Sequence, residues 1–170
     1  SASALLLLPA VAYLLGALNM LEESQTVEFC GSCHVTMSPI VEAMRDDGDT
    51  LAGSHYRRGA VPHATACYAC HSGYGLWGDF EAKRAGVAHL INTVTGSYEF
   101  PIRKVGAFDI SACRGCHAGA VAFREVEAHR DPAMQELLLS GEMSCAGTCH
   151  PAAHPDEALM GAHAKQVAAR

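Results

Sequence analysis

The sequence contains few of the residues with which small proteins fill a hydrophobic core. Only 6% of its 170 residues are aromatic, and it has a single tryptophan. It also lacks any alternation of polar and apolar residues long enough to predict a β-strand. A core made of protein alone would be poor, so we expect bound groups to supply the missing apolar bulk. The net charge of −6 argues against a nucleic-acid partner.

Charge is absent from residues 1–21, and residues 4–18 are strongly apolar. A membrane-spanning helix needs about 20 such residues, whereas the core of a signal peptide needs about 7–15. No small-residue cleavage site lies between the end of the apolar run and Glu22. The run predicts an uncleaved transmembrane anchor at residues 1–21. A signal peptide and a buried core helix are the alternatives.

No cysteine is left over for a disulfide, because all eight fall into four motifs that each end in a histidine. Three motifs read C-x-x-C-H, and the fourth has one extra residue between its cysteines. The pairs are Cys30 and Cys33, Cys67 and Cys70, Cys113 and Cys116, and Cys145 and Cys149, followed at once by His34, His71, His117 and His150. A single motif could be a zinc half-site or a redox dithiol, but the repeated histidine is typical of c-type haem attachment.

The motifs predict four covalently attached haem c groups, each with its motif histidine as an axial iron ligand. We expect the stretched fourth motif to need a wider loop between its two thioether bonds. Haem c is attached outside the cytoplasm, which predicts a periplasmic location. Met37, three residues after His34, is a second candidate ligand. Six further histidines are available for up to four distal places: His55, His63, His89, His129, His154 and His163.

The expected fold is mainly α-helical with extensive loops, wrapped around four haems, with one N-terminal transmembrane helix and no independent hydrophobic core. We expect two domains, an anchor at residues 1–21 and a tetrahaem cytochrome c domain at residues 22–170. An acidic turn is expected at residues 46–49. Helices are predicted at residues 38–45, 78–95, 120–128, 133–139 and 156–169.

The order of these features resembles the NapC/NirT family of membrane-anchored tetrahaem quinol dehydrogenases. The resemblance covers roughly residues 5–155 and depends on the anchor, the methionine after the first motif, the His55-Tyr56 pair and the C-H-x-x-x-H ending at His154. It implies electron transfer from membrane quinol to a redox protein. It also implies a haem domain on the periplasmic side of the inner membrane.

The resemblance implies roles for particular residues. His55, His129 and His154 match distal haem ligands, and Met37 matches a ligand of the first haem. The family spacing is C-x-x-C-H-x-M, whereas one more residue precedes Met37 here. Either His34 or Met37 therefore ligates the first iron.

Lys83 lies near the place of a lysine that lines the family's quinol site, and His89 lies near that of an acidic partner. We take both as candidates for quinol binding or proton acceptance, and His89 alternatively as a distal ligand. Two functions stay open at this point. The chain is a quinol dehydrogenase, or it is a non-enzymatic electron-relay subunit of a larger membrane complex.

Overall fold

The computed structural model describes residues 2–33, 37–46, 49–72, 77–97, 109–140, 142–146 and 148–155. Within these ranges 73% of the residues are helical and none belongs to a strand, apart from an isolated bridge between Ala146 and His150. The mainly helical class predicted from the sequence is confirmed for this part of the chain. The division into two domains stays a prediction.

The longest helix is N-terminal, and shorter helices follow it. A 3₁₀ turn at His63–Thr65 separates two of them. The helices are α1 Ala2–Glu23, α2 Val27–Cys33, α3 Ser38–Asp46, α4 Leu51–Arg57, α5 Ala66–His71, α6 Gly78–Thr95, α7 Ser111–His117, α8 Val121–Glu125, α9 Glu127–Arg130 and α10 Pro132–Leu139.

The α1 helix is long and apolar enough to span a membrane. Its segment Leu5–Glu23 has a mean hydropathy of 1.8, and none of that segment is buried in the protein. A core helix of this composition would be covered, so its exposure argues against the core-helix alternative. Length and composition alone do not separate a membrane anchor from a signal sequence.

The predicted helix boundaries hold best where the sequence has clear stop signals. The α6 helix has the predicted bounds and ends at Gly96, whose φ of 66° is the left-handed conformation that glycine adopts without strain. The helix predicted at residues 120–128 is wrong in one respect. Val126 has extended backbone (ψ 128°) and divides it into α8 and α9. The helix predicted at residues 156–169 and residues 47 and 48 of the acidic turn lie outside the described residues.

A small core lies where the sequence predicted none. Val27, Val41, Met44 and Ala66 form a buried cluster that joins α2, α3 and α5, and Val27 is only 1% exposed. Tyr56 and Cys67 pack against its edge. The cluster therefore fixes the helices that carry the first two motifs relative to each other.

The α4 helix is anchored at its start by Thr50. The buried Thr50 hydroxyl accepts a hydrogen bond from the Gly53 amide at 3.0 Å, which satisfies one of the unpaired donors of the first turn. The amides of the two residues between Thr50 and Gly53 pair outside the helix. Leu51 N donates to Ala152 O at 3.0 Å, and Ala52 N donates to Ala153 O at 3.1 Å. The start of α4 therefore holds the chain near residue 152.

Replacing Thr50 should loosen this junction. We expect Thr50→Val, which keeps the shape but removes the hydroxyl, to lower the free energy of unfolding by about 1 kcal/mol. Thr50→Ser keeps the cap and should lose clearly less. Urea unfolding followed by helical circular dichroism measures both variants. Equal losses in the two would contradict the capping role.

Candidate haem-binding site

The three C-x-x-C-H motifs lie on helices. The first lies at the end of α2, the second forms most of α5 and the third most of α7. Residues three and four apart in a helix share a face, so in the second and third motifs this winding directs the two thiols and the histidine to one side. His34 itself lies outside the described residues, as does the side chain of Cys33.

The fourth motif is wound differently. Cys145 and Cys149 lie in a turn rather than a helix, and the His150 amide donates to the Cys145 carbonyl at 3.0 Å. In a helix the two cysteines, four residues apart, would still share a face, but His150 would be five residues after Cys145 and would leave it. The described residues of this motif form a turn, and the thioether bonds across it stay a prediction.

Motifs that are neighbours in the sequence are neighbours in space. The thiol of Cys67 hydrogen-bonds to the sulfur of Cys30, which joins the first and second motifs. The sulfurs of Cys113 and Cys145 join the third and fourth motifs in the same way. Cys70 lies close enough to Cys116 for their charges to interact. The four motifs therefore follow one another in chain order.

These contacts give the thiols different pKa values. The hydrogen bond from Cys67 lowers the pKa of Cys30 to about 7, although burial opposes it, and Lys83 contributes a nearby positive charge. The same hydrogen bond, together with burial, raises the pKa of Cys67. Burial and then the neighbouring Cys145 raise the pKa of Cys113 to about 11. Cys30 is thus the thiol that ionises most readily within this group.

Each described motif histidine faces one further histidine. The ring centroids of His71 and His154 are 6.0 Å apart with nearly parallel planes. Those of His117 and His55 are 6.0 Å apart and nearly perpendicular. Those of His150 and His129 are 6.1 Å apart and tilted by 33°. The three distal candidates from the sequence are therefore each opposite a different motif histidine.

Hydrogen bonds fix the protonation of two of these rings. Nδ1 of His55 lies 2.7 Å from the Leu51 carbonyl, and Nδ1 of His129 lies 3.0 Å from the Phe123 carbonyl. A carbonyl oxygen only accepts, so Nδ1 must carry the proton. In the neutral form of each ring, Nε2 then has a lone pair that can bind a metal.

His154 is held differently. Its Nδ1 is buried and makes no hydrogen bond within the described part of the chain. Burial and the adjacent His71 lower the pKa of His154 to about 4, so the ring is neutral at pH 7. The residues just before it, Ala152 and Ala153, are those bonded to the start of α4. The same junction therefore positions His154 and the helix that carries His55.

The other candidate ligands are not paired in this way. His63 stacks on Tyr56 with centroids 4.3 Å apart, and its Nε2 donates to the Tyr56 carbonyl at 2.8 Å. His89 is exposed on α6, and no contact with another histidine ring is seen among the described residues. Met37 is half-buried just before α3. His163 lies outside the described residues.

Lys83 connects α6 to the end of α1. Its ammonium group donates to the Leu21 carbonyl at 2.9 Å and to the Ser24 hydroxyl, and it lies 5.0 Å from the centre of the Tyr68 ring. Tyr68 belongs to the second motif and donates to Asp79 at 3.0 Å. Burial and this bond raise the pKa of Tyr68 to about 12. The sequence predicted importance for Lys83 but gave no sign of these partners.

An open cavity lies at the junction of α1 and α2. It has a volume of about 470 Å³ and is lined by Glu23, Thr26, Glu28, Phe29 and Ser32. Phe29 directly precedes the first motif, and Ser32 belongs to it. Glu28 forms an ion pair with Arg45 at 3.0 Å. Sequence reasoning did not single out Glu23 or Glu28, because two exposed acidic residues carry no spacing signal.

Comparison of the chain with protein-family models, with curated proteins and with solved structures gave no match.

The acidity of the thiols is testable in the chain before haem attachment. The thiolate is the reactive form, so alkylation of Cys30 should rise to half its maximum rate near pH 7, whereas Cys113 should need about pH 11. Mass spectrometry of iodoacetamide-labelled peptides at several pH values measures both.

The partner of Cys30 provides the control. Cys67→Ala removes the hydrogen-bond donor and should move the reactivity of Cys30 to higher pH, while Cys67→Ser retains a donor and should shift it less. An unchanged profile in Cys67→Ala would contradict the contact between the first two motifs.

Proposed function

We propose that the chain is a membrane-anchored tetrahaem c-type cytochrome that takes electrons from membrane quinol and delivers them to a redox partner. The observation that carries the proposal is the set of three imidazole pairs at 6.0–6.1 Å. Each pair joins one histidine of a cysteine motif to one further histidine. A haem iron with two nitrogen ligands would take its protein donors from such a pair.

The spacing fits an iron between two rings. Two metal–nitrogen bonds of about 2 Å and two nitrogen-to-centroid distances of about 1 Å add to roughly 6 Å. A bare structural metal ion would need about four protein ligands. Within the described residues no group of three or more His, Cys, Asp or Glu side chains could hold such an ion. A pair of axial ligands is sufficient for haem, because the porphyrin supplies the other four.

The residues of each motif have separate roles in this proposal. The cysteines would hold the haem through thioether bonds, and His71, His117 and His150 would each bind one haem iron. His154, His55 and His129 would respectively supply a second nitrogen to the same three irons. Haem c, when bound, supplies one-electron chemistry at its iron. The Nδ1 bonds of His55 and His129 orient their rings, which is the usual second-shell role of such bonds.

Quinol oxidation is supported by the position of the first motif. The cavity beside Phe29 and Ser32 opens at the end of α1, where the apolar span meets the polar domain. Glu23 lines this cavity and could accept a proton that quinol releases, and Lys83 holds the end of α1 beside it. We therefore place the quinol site here, on the periplasmic side of the inner membrane.

The distal ligands provide the central test. We expect His154→Ala, His55→Ala and His129→Ala each to convert one low-spin haem to high-spin, because one axial nitrogen is lost. Electron paramagnetic resonance and visible absorption measure the change. Intact mass should show four attached haems in every variant.

His63→Ala is the matched control, because the Nε2 of His63 is already bonded to a backbone carbonyl. It should leave the low-spin spectrum unchanged. A protein mass with fewer than four haems, or low-spin spectra unaltered in the three distal variants, would contradict the assignment.

The quinol site predicts a separate kinetic defect. Glu23→Gln and Lys83→Met should slow haem reduction by a quinol analogue at least about tenfold, since proton acceptance or hydrogen bonding is lost. Reduction by dithionite should stay unchanged, because dithionite needs no quinol pocket. Stopped-flow absorption in membranes measures both rates.

Neighbouring residues serve as controls. Glu22→Gln and Arg84→Met change the same charges without altering a residue that lines the cavity or contacts the end of α1. They should retain quinol-dependent reduction. If the native protein in membranes is not reduced by quinol at all, the dehydrogenase proposal fails and the electron-relay function replaces it.

A further inference from the structure

The α6 helix exposes an apolar face that no described part of the chain covers. Val87, Leu90, Ile91 and Val94 recur at helical spacing on one side, and each is between 56% and 78% exposed. Only Gly78 of this 18-residue helix is buried. A helix of this length gains most of its stability by packing an apolar face, so a partner surface is expected here.

The position of α6 indicates which surface this is. The Lys83 ammonium bonds to the Leu21 carbonyl in the last turn of α1 and to Ser24 just beyond it. The first turns of α6 are therefore fastened at the end of the membrane-spanning segment. The single tryptophan, Trp77, precedes α6 and is 73% exposed. Tryptophan is enriched where a membrane meets water.

The charge of α6 points to the same partner. The chain as a whole carries −6, whereas in α6 two acidic residues in the first turn, Asp79 and Glu81, are balanced by Lys83 and Arg84, and no acidic residue follows them. Basic residues beside an apolar face are typical of helices that lie in the headgroup region of a bilayer and attract anionic lipids. Long basic side chains can extend along such a face and keep their charges among the headgroups.

We propose that α6 lies on the bilayer surface with the Val87, Leu90, Ile91 and Val94 face among the lipids, as a second membrane contact beside α1. The inference rests on the proposed membrane anchoring but not on haem attachment. It also gives different positions to Lys83 and His89, which the family resemblance had suggested together as quinol-site candidates. His89 lies on the side of α6 opposite Val87 and Ile91 and is directed away from the lipid, whereas Lys83 stays at the membrane boundary.

Photoactivatable lipids test this contact in the full-length haem-loaded protein. The protein is placed in phosphatidylethanolamine–phosphatidylglycerol vesicles that contain a diazirine in the acyl chain, and labelled tryptic peptides are identified by mass. We expect label in peptide 85–103 as well as in peptide 1–45, which contains α1. Peptide 125–130, from the region of α9, should carry none.

Two double variants make the test specific to the face. Leu90→Gln with Ile91→Gln should reduce the labelling of peptide 85–103, relative to peptide 1–45, at least about fivefold, because the apolar contact is lost. Ala85→Gln with Asn92→Gln adds polar bulk to the other side of α6 and should retain the label. Equal labelling in both double variants would overturn the proposed orientation.

The native protein gives the other deciding outcomes. If peptide 1–45 is labelled and peptide 85–103 is not, the docking of α6 is overturned. Cross-linking of that peptide to a second copy or to another protein would then identify what covers it. If neither peptide is labelled, the anchor fails together with the docking. The haem content of the same samples tests the cytochrome proposal independently.

Discussion

Two imidazole rings with centroids about 6 Å apart are too far from each other for direct contact and close enough to share one bound atom. The described part of the chain contains three such pairs, and each joins segments that are distant in the sequence except for the pair of His129 and His150. Apolar burial holds only some of these segments, because the small buried cluster joins α2, α3 and α5 and has α4 packed against its edge. The arrangement of the helices is therefore best understood as a set of supports for histidine pairs.

Backbone hydrogen bonds supply the precision that the core lacks. The start of α4 uses the Thr50 hydroxyl for its own cap and the amides of Leu51 and Ala52 for the chain that precedes His154. Within the same helix, the Leu51 carbonyl orients His55. A short helix thus connects the ligands proposed for two different irons. A substitution at one of these two sites should therefore affect the other, as expected for side chains that are positioned by the same helix.

Local features of this fold were predictable from the sequence, and long-range ones were not. The apolar period and Gly96 define α6, and the cysteine spacing defines the attachment motifs, because both depend on residues within a few turns. The resemblance to a known family suggested His55, His129 and His154 as ligands. It did not show that His154, four residues after His150, faces His71 instead. That pairing depends on how α4 and the chain near residue 152 come together, and no local pattern records it. The short helix α8 ended early for a similar reason, since the chain turns at Val126 to bring His129 under Phe123.

The quinol oxidation that we propose has three requirements at the corner formed by α1, α2 and α6. A lipid-soluble donor must approach at the membrane boundary, its protons must have acceptors, and the first redox group must be near. In the proposal the cavity lined by Glu23 and Ser32 would provide the first two, and a haem attached at the motif that begins at Cys30 would provide the third. Lys83 fixes the corner, because one ammonium group bonds to the end of α1, lies over Tyr68 of the second motif and lies near enough to Cys30 to favour its thiolate. A lysine with these three neighbours is constrained by all of them. Both its position and its positive charge therefore matter at residue 83, since the contacts with Tyr68 and Cys30 are electrostatic.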